Sequence, residues 1–341
     1  MSPNRKPVTA ITMGDPAGIG PEIVLDTLME PMIYEVADPF IIGSKKALLR
    51  AAEIKGLEIE INDISAPDEA RFVFGIIDLL DPGAEPDAVI EYGKESREAA
   101  LQAYSYLEKS IELGMNKSID AVSTAPINKV SLRMAGVPHV GHTEIYQHLT
   151  GSAYALTMFH VHALRVFFLS RHVSLRDACN LVTKENVLKF IRDIDTEFRS
   201  IGFDDPSIAV AALNPHGGDA GMFGTEEIEE LIPAVEQAKS EGINARGPLP
   251  ADSIFAFALD GHHDCILSLY HDQGHIACKT LDFEKAVTLT LGLPFMRSSV
   301  DHGTAFDIAG KGIANGASMI ESTRVVAEFA QRKMNMESNM S

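Results

Sequence analysis

Short runs of apolar and β-branched residues alternate along this chain with longer stretches whose apolar positions recur at helical spacing. This alternation is typical of an α/β protein with a largely parallel sheet. The longest helical pattern covers residues 94–115. A second covers residues 225–239, where Glu226 and Glu227 offset the helix dipole in the first turn. The apolar runs predict strands at residues 8–13, 40–43, 121–123, 155–159, 164–169, 208–213, 265–269 and 286–291.

Three of the predicted strands run into polar segments that contain a histidine, namely His172, His216 and His271. In parallel α/β sheets, ligands bind just beyond the carboxyl ends of the strands. Neutral imidazole is a common ligand of divalent metal ions, so the three histidines are a candidate catalytic metal site. Asp252 and Asp272 are candidate outer ligands or orienting groups. The alternative is that each histidine caps a loop or bonds a backbone carbonyl.

Charge restricts the partners of the chain. Its 341 residues predict two domains, and its 29 basic and 48 acidic residues give a formal net charge of −19. Such an acidic chain does not attract nucleic acid, and it repels an anionic substrate at long range. An anionic substrate therefore requires basic side chains or a metal ion at the site itself.

The cysteine pattern and the start of the chain predict a cytoplasmic protein. Cys179, Cys265 and Cys278 show no metal-ligand spacing and no even pairing, which indicates a reduced compartment. No run of about eighteen uncharged apolar residues is present, so we expect no membrane span. The first residues lack the apolar core of a signal peptide.

A glycine-rich strand–loop–helix segment, GDPAGIGPEI, lies near the start of the chain. Gly14, Gly18 and Gly20 allow sharp turns, and a helix that begins there favours a phosphate or carboxylate ligand, so these glycines are candidate cofactor-binding residues. The spacing is not the G-x-G-x-x-G of Rossmann dinucleotide-binding folds. The alternative is a tight turn that binds nothing.

Two further groups of residues suggest anion recognition. In the segment GHTE, Thr143 is a candidate N-cap, while His142 is a candidate for binding a substrate oxygen. Lys279 and Arg297 lie on either side of the predicted strand 286–291. In an acidic chain we interpret them as ligands of a carboxylate or phosphate, with ordinary salt bridges as the alternative.

The segment 299–318 is rich in small residues, which indicates a loop pressed against a ligand or against another part of the backbone. His302, Asp307 and Asn315 are candidates for contacting the edges and hydroxyls of a nucleotide. The alternative is a packed connector.

Taken together, the motifs resemble the 4-hydroxythreonine-4-phosphate dehydrogenase (PdxA) family. They follow one another in one order over residues 13–315: GDPAGIGPEI, STAPINK, GHTE, SRHVSLRDA, NPHGGDAGMFGTEE, GPLPAD, YHDQGH and TLGLPFMRSSVDHGTAFDIAGKGIAN. The two ends of the chain are also similar to isocitrate and isopropylmalate dehydrogenases. The resemblance implies their two-domain α/β fold, with the active site in the cleft between the domains. Residues 1–126 and 302–341 would form a nucleotide-side domain, and residues 127–301 a metal, substrate and dimerisation domain.

The resemblance also implies roles for individual residues. The family's ligands of one divalent ion (Zn, Mg, Mn or Co) match His172, His216 and His271, and His271 would reach the metal of the neighbouring subunit in a homodimer. The loop that receives the adenosine part of NAD matches the segment with His302, Gly303, Asp307 and Asn315. The substrate-binding positions match His142, Thr143, Lys279, Thr288 and Arg297, and Thr288 replaces the usual asparagine.

The activity implied by the resemblance is NAD-dependent, metal-dependent oxidation and β-decarboxylation of a 4-phosphorylated four-carbon hydroxy acid. The general base would be Asp252, Asp272 or Lys279. We expect NAD, with NADP as the alternative, because the acid at Asp307 would repel a 2′-phosphate. The motifs look closest to a paralogous group that acts on 4-phospho-D-threonate or 4-phospho-D-erythronate.

Other functions stay open on the residues alone. The first alternative is the 4-hydroxythreonine-4-phosphate dehydrogenase of vitamin B6 synthesis, and another within the family is a dehydrogenase of cyclic dihydrodiols. A metal-dependent isomerase, aldolase or phosphatase could use the same three histidines. A non-catalytic sugar-phosphate-binding protein would keep the fold without turnover.

Overall fold

The apolar runs form strands whose side chains are mostly buried. In the computed structural model, which describes residues 5–83 and 90–340, the strands in chain order are β1 (Val8–Thr12), β2 (Asp38–Ile42), β3 (Glu60–Ile64), β4 (Ile76–Leu80), β5 (Ala121–Thr124), β6 (Leu156–Val161), β7 (Leu164–Phe168), β8 (Ile208–Ala211), β9 (Ala245–Leu249), β10 (Cys265–Ser268), β11 (Val287–Leu291) and β12 (Met296–Val300).

Side-chain caps define where many of the helices begin. Ser96 accepts a hydrogen bond from the backbone of Ala99, and Thr183 accepts one from Asn186, so each satisfies a free N–H of a first turn. The helices are α1 (Gly20–Leu28), α2 (Pro31–Val36), α3 (Lys45–Lys55), α4 (Arg97–Met115), α5 (Lys129–Met134), α6 (His142–Thr150), α7 (Leu175–Asn180), α8 (Lys184–Ser200), α9 (Ile232–Ser240), α10 (Ile254–Leu259), α11 (His271–Leu281) and α12 (Ala317–Met340).

The chain folds into two compact units, each with its own apolar core. The first unit contains the residues up to Ala155 and those from Val287 onwards. Its strands follow the order β3-β4-β2-β1-β5-β12-β11. All neighbours in this order are parallel except β11 and β12, which are antiparallel.

The second unit runs from Leu156 to Ala286, and its strands follow the order β6-β7-β10-β8-β9. Only β6 runs antiparallel to its neighbour β7. Since β7, β10, β8 and β9 are parallel, their carboxyl ends lie at one edge of this sheet.

The structure confirms the α/β class, the largely parallel pairing and all eight predicted strands, although some strand ends shift by one or two residues. The strands β3, β4, β9 and β12 were missed. Most of them lack a continuous apolar run, because charged, proline or serine residues interrupt the pattern. The helix predicted at 225–239 is present but begins with a π-helical turn, Glu227–Leu231. Among the described residues, no helix is both long and apolar enough to cross a membrane.

The boundaries of the compact units differ from the domain limits expected at 126/127 and 301/302. Helices α5 and α6 pack on α4, and β12 pairs with β5, so all of these elements belong to the first unit. His142, Thr143, Thr288 and Arg297 therefore lie in the same unit as the glycine-rich segment.

Candidate functional site

The three histidines expected at strand ends follow adjacent parallel strands. His172 follows β7, His271 follows β10 and His216 follows β8, and these strands are neighbours in that order. All three residues therefore emerge at the same edge of the second unit. His172 and His216 are exposed, and His271 is partly exposed.

The rings of two of the three histidines are neighbours in the structure. Within residues 5–83 and 90–340, no three His, Cys, Asp or Glu side chains form a group that could hold a metal ion. The rings of His172 and His271 are neighbours, with their centroids 6.2 Å apart, but His216 does not join them in such a group. Three imidazoles suit a divalent ion chemically, and the role of these histidines as metal ligands stays a prediction.

The two acidic residues proposed near the histidines have different surroundings. Asp272 accepts a hydrogen bond from Nδ1 of His271, with 2.6 Å between the atoms, and so orients that imidazole. Its side chain is 71% exposed. Asp252 is exposed in the turn before α10. The face of the His271 ring stacks on His275, with 3.8 Å between centroids.

A strained loop holds His216. Residues 216–220 all have φ between 46° and 80°, the left-handed region that non-glycine residues seldom adopt. The carboxylate of Glu227, which is only 1% exposed, accepts hydrogen bonds from the backbone N–H groups of Leu213 and Asn214, at 2.9 and 2.7 Å. Its second oxygen accepts from Nδ2 of Asn214 at 2.9 Å. A buried carboxylate thus fixes the chain at the entrance to this loop.

Gln273 links the strand ends that lead to His216 and His271. Its Oε1 accepts from the backbone N–H of Leu269 at 2.7 Å, at the end of β10. Its Nε2 donates to the carbonyl of Ala212 at 2.8 Å, just after β8. The relative position of the two histidine-bearing segments is therefore fixed by one amide side chain.

In the first unit, Arg297 is buried, with 2% of its surface exposed. Its Nη1 donates to Oγ1 of Thr290 at 2.9 Å, and its Nη2 donates to Oγ1 of Thr124 at 2.8 Å. No carboxylate of the described residues pairs with it, and its Nε–H has no hydrogen-bond partner among them. Burial lowers the pKa of Arg297 to about 10, so the guanidinium stays charged at neutral pH.

His142 lies beside this guanidinium, in the first turn of α6. Its ring is hydrogen-bonded to the backbone of Ala125, and its Nε2 is buried with no partner among the described residues. Burial, followed by the nearby charges of Arg297 and Lys129, holds the pKa of His142 well below its usual range. The imidazole is therefore neutral at neutral pH, and Nε2 is available to a substrate group.

Thr143 is not the N-cap of α6. Gly141 occupies that position and the helix start has no side-chain cap, so Thr143 lies inside the first turn beside His142. Thr288 pairs with Ser299 across β11 and β12, and its Oγ1 donates to the carbonyl of Ser299 at 3.2 Å. Of the sequence-predicted substrate residues, the structure places His142 close to Arg297, whereas the roles of Thr143 and Thr288 stay predictions.

Lys279 belongs to the second unit. It lies in the last turn of α11, with its Nζ 5.3 Å from the ring centroid of Phe283. The side chain is partly exposed. Its role in binding the substrate or in proton transfer stays a prediction.

The two segments proposed to bind the cofactor pack against each other. The backbone N–H of Ile19 donates to the carbonyl of Thr304 at 3.1 Å, and a Cβ at Gly18 would lie 2.8 Å from Cβ of Thr304. Gly14 has φ +72°, a left-handed conformation that favours glycine. A Cβ at Gly20 would lie 2.1 Å from the carbonyl oxygen of Met13. Close packing inside the protein therefore accounts for Gly14, Gly18 and Gly20.

A glutamate occupies the helix start that was interpreted as an anion site. Glu22 is fully buried in the first turn of α1, and its Oε1 accepts from the backbone N–H of Gly310 at 2.8 Å. A carboxylate at this position disfavours a second anion there. The tight-turn interpretation of the glycine-rich segment is thus better supported than the phosphate interpretation.

The later residues of the proposed cofactor loop are more accessible. Gly303 and Asp307 are exposed, and no atom lies within 4 Å of a Cβ built at Gly303. Nδ1 of His302 lies 3.0 Å from the carbonyl oxygen of Gly303. Asn315 is exposed, and its Oδ1 accepts from the N–H of Ala317, the first residue of α12, at 2.9 Å. Binding of a nucleotide by this part of the loop stays a prediction.

Sequence reasoning missed several buried polar residues of these regions. Burial raises the pKa of the Asp15 carboxyl to about 6, and its Oδ2 has no partner among the described residues. Thr124 and Thr290 were missed because a threonine at a strand end resembles any β-branched strand residue. Glu227 was noted only for the helix dipole. An acidic residue inside an otherwise apolar or glycine-rich motif, as in GDPAGIG, is the one signal that could have identified Asp15.

Comparisons with known proteins give one consistent result. The family model described as "Pyridoxal phosphate biosynthetic protein PdxA" matches residues 35–326. A protein of Symbiobacterium thermophilum, provisionally named D-threonate 4-phosphate dehydrogenase, is 48% identical over 327 residues, which are 96% of this chain and 98% of that protein.

Two solved structures show the same fold along nearly the whole chain. The 4-hydroxythreonine-4-phosphate dehydrogenase of Burkholderia phymatum is 41% identical, with a TM-score of 0.86 over 96% of this chain and 99% of that one. The enzyme of the same name from Klebsiella pneumoniae is 36% identical, with a TM-score of 0.88 over 95% and 99% of the two chains.

Proposed function

This chain belongs to the PdxA family, and on that premise we propose that it is a dehydrogenase of 4-phospho-D-threonate or 4-phospho-D-erythronate. The enzyme would oxidise the carbon-3 hydroxyl with NAD. The resulting ketone is β to the carboxylate, so carbon dioxide can leave and dihydroxyacetone phosphate forms from the threonate. The observation that best supports this proposal is Arg297, which is buried and charged and lies beside a neutral His142. Among the described residues, Arg297 forms no ion pair with a carboxylate.

The acidic chain makes this local charge informative. With a net charge of −19, the protein repels a substrate that has both a carboxylate and a phosphate, so a fixed cation must bind one of them. Arg297 provides a planar set of N–H donors suited to an oxyanion. We assign the neighbouring His142, Thr143 and Thr288 to the substrate hydroxyls, and Lys279 to a second anionic group or to proton transfer.

The choice of substrate rests on the relatives. The Symbiobacterium relative described above is named for D-threonate 4-phosphate. The hydroxyl of Thr288 donates to Ser299, and its oxygen could accept from either a hydroxyl or an amine, so this side chain does not decide between the substrates. The alternative substrate, 4-hydroxy-L-threonine phosphate, is the one named in the two solved structures. It differs by an amine at carbon 2.

We propose NAD as the oxidant, bound in part by the accessible residues of the 302–315 loop. The exposed carboxylate of Asp307 would repel the 2′-phosphate of NADP. The packing of this loop on the glycine-rich segment gives it a fixed position in the first unit.

We further propose that a divalent metal ion is bound by His172, His216 and the partner subunit's His271 in a homodimer. The position of all three histidines at one edge of the second unit's sheet supports a metal site there. A divalent ion at such a site supplies Lewis-acid polarisation of oxygen atoms. The chain's own part is to orient the imidazoles, through Asp272 for His271 and through Glu227 for the loop of His216.

The proposal is tested by a side-by-side turnover assay. Purified protein, NAD and each divalent metal in turn are mixed with 4-phospho-D-threonate, 4-phospho-D-erythronate and 4-phosphohydroxy-L-threonine, and the absorbance of NADH is followed. We expect the highest kcat/KM with one of the two phosphorylated sugar acids. A higher kcat/KM with 4-phosphohydroxy-L-threonine would instead identify the chain as a 4-hydroxythreonine-4-phosphate dehydrogenase of vitamin B6 synthesis. Turnover with none of the three would refute a dehydrogenase of this class.

A further inference from the structure

The Arg297 guanidinium is held entirely by neutral groups among the described residues. Thr290 and Thr124 each accept one hydrogen bond from a terminal nitrogen. The ring of Tyr146 lies 5.2 Å from Cζ of Arg297, and the hydroxyl of Tyr146 is hydrogen-bonded to Ser110 at 2.6 Å. A buried cation is usually paired with a carboxylate, because an unpaired buried charge is costly. Here the described residues place no carboxylate in an ion pair with Arg297, and Glu144 acts on its charge without a direct contact.

The two threonines are placed by the register of three neighbouring strands. Thr290 of β11 pairs with Arg297 of β12, and Thr124 of β5 pairs with Ser299, two residues along β12. Side chains alternate along a strand, so Thr124, Thr290 and Arg297 share one face of the sheet. The guanidinium is therefore held from both sides by residues of rigid strands.

The hydroxyl of Thr124 has a defined direction. It donates to the carbonyl of Ser298 at 3.0 Å, so its oxygen faces Arg297 as an acceptor. A guanidinium has five N–H donors in one plane. The threonines use two of them, and the buried Nε–H has no partner among the described residues. Three donors of a fixed planar group are thus left for a ligand.

We propose that Thr124 and Thr290 are positioning residues that fix the Arg297 guanidinium for an oxyanion of the substrate without forming an ion pair with it. This inference rests on the proposed function, in which the substrate has a carboxylate and a phosphate. Either group presents two or more oxygens to a planar set of donors. Thr124 and Thr290 need not touch the substrate, but they determine how tightly it binds.

The test removes each hydroxyl without changing the shape of the side chain. Thr290→Val and Thr124→Val each leave one terminal nitrogen of Arg297 unsatisfied, whereas Thr290→Ser and Thr124→Ser keep the hydroxyl. We expect KM for the phosphorylated acid to rise about tenfold in each valine variant, with kcat within about twofold of wild type. The serine variants should stay near the wild-type KM. An unchanged KM in both valine variants, or an equal rise in the serine variants, would overturn the proposal.

Direct binding separates this inference from the proposed function. Calorimetry of the NAD-loaded protein measures Kd for inorganic phosphate and for unphosphorylated D-threonate. Weaker phosphate binding in the valine variants assigns Arg297 to the phosphate, and weaker D-threonate binding assigns it to the carboxylate. If neither probe is bound more weakly, the threonines do not position an oxyanion site. These comparisons hold even if wild type turns over none of the three substrates, which would refute the proposed function alone.

The two threonines test the proposal independently, so that one variant that fails to fold does not end the experiment. A thermal melt of each variant identifies any that fails to fold, and the other position then still decides the outcome. Arg297→Lys keeps the charge but removes the planar fork. We expect this variant to bind the probe that the valine variants bind weakly, phosphate or D-threonate, at least as weakly as they do. Binding of wild-type strength by Arg297→Lys would also overturn the proposal.

Discussion

The carboxylate of Glu227 accepts a hydrogen bond from the backbone N–H of Asn214, with 2.7 Å between the two atoms. Asn214 stands just before the left-handed segment 216–220, which contains the proposed metal ligand His216. A buried acid in the π-helical turn Glu227–Leu231 therefore determines the path of a strained loop at the proposed site. π-helical turns are often found at functional sites.

Replacing Glu227 should weaken metal binding. Glu227→Gln replaces one carboxylate oxygen, which accepts hydrogen bonds from Leu213 or Asn214, by an NH₂ group that cannot accept them. The loop that contains His216 is then held less firmly, so we expect the Kd for Zn²⁺ or Co²⁺ to rise about tenfold. The free energy of unfolding should fall by about 1–3 kcal/mol. Titration calorimetry and urea denaturation measure the two effects. Glu229→Gln makes the same change at an exposed position of the same turn. Equal metal affinity in both variants would show that Glu227 does not position His216.

The buried Asp15 should make stability depend on pH. Burial raises the pKa of Asp15 from about 3.8 to about 6 in the folded protein, so the folded state binds the proton more tightly than the unfolded state. Its contribution to stability therefore falls as pH rises from about 4 to about 6, by roughly 3 kcal/mol. Asp15→Asn should remove this penalty and raise the free energy of unfolding at pH 8, with little change at pH 4.

Denaturant unfolding at the two pH values checks this effect. The exposed Asp68→Asn is the matched control, because it removes a carboxylate that is in contact with water. A gain in Asp15→Asn that is equal at both pH values would mean that burial of the charge is not its cause.

A shared metal site predicts complementation between inactive variants. If the partner subunit's His271 completes each site, His172→Ala and His271→Ala homodimers should both be inactive, and hybrids of the two should contain one intact site. Random mixing should then restore roughly a quarter of wild-type activity. His172→Ala mixed with His216→Ala is the control, since both changes affect ligands from the same subunit and no hybrid is intact. Recovery in neither mixture would argue against sharing.

The exposed Asp307 should control the choice of cofactor. Removing its charge in Asp307→Asn takes away repulsion of a 2′-phosphate, so kcat/KM with NADP should rise about tenfold relative to that with NAD. Initial-rate measurements with both cofactors test this. The exposed Asp68→Asn serves as a comparison for the loss of one negative charge elsewhere. An unchanged cofactor ratio in Asp307→Asn would place the 2′-hydroxyl of the nucleotide away from this side chain.

The fold was predictable wherever burial alone determined the pattern. Eight strands were found from apolar runs, and the positions of His172, His216 and His271 at one sheet edge follow from the pairing of parallel strands. β12 was missed because its sequence, MRSSV, looks polar. Those polar groups are buried because neighbours satisfy them: Ser298 bonds Ser322, at 2.8 Å between their hydroxyls.

The surroundings of the site residues could not be predicted from the sequence, because they depend on how distant parts of the chain pack together. Whether Arg297 meets a carboxylate or a threonine depends on the register of β11 and β12, which the sequence pattern does not encode. The helix start after Gly20 looked suitable for an anion until the structure showed Glu22 buried there. Local motifs predict which residue types are present, whereas tertiary packing decides which of them stay available to a ligand.

In the proposed reaction, oxidation of the carbon-3 hydroxyl is coupled to loss of carbon dioxide, and isotope labelling detects both events in one experiment. The purified protein is given NAD, a divalent metal and 4-phospho-D-threonate labelled with ¹³C at the carboxylate. NADH is measured by absorbance, and labelled carbon dioxide by mass spectrometry. We expect one labelled carbon dioxide for each NADH, together with dihydroxyacetone phosphate. NADH formed without labelled carbon dioxide, or neither product, would contradict it.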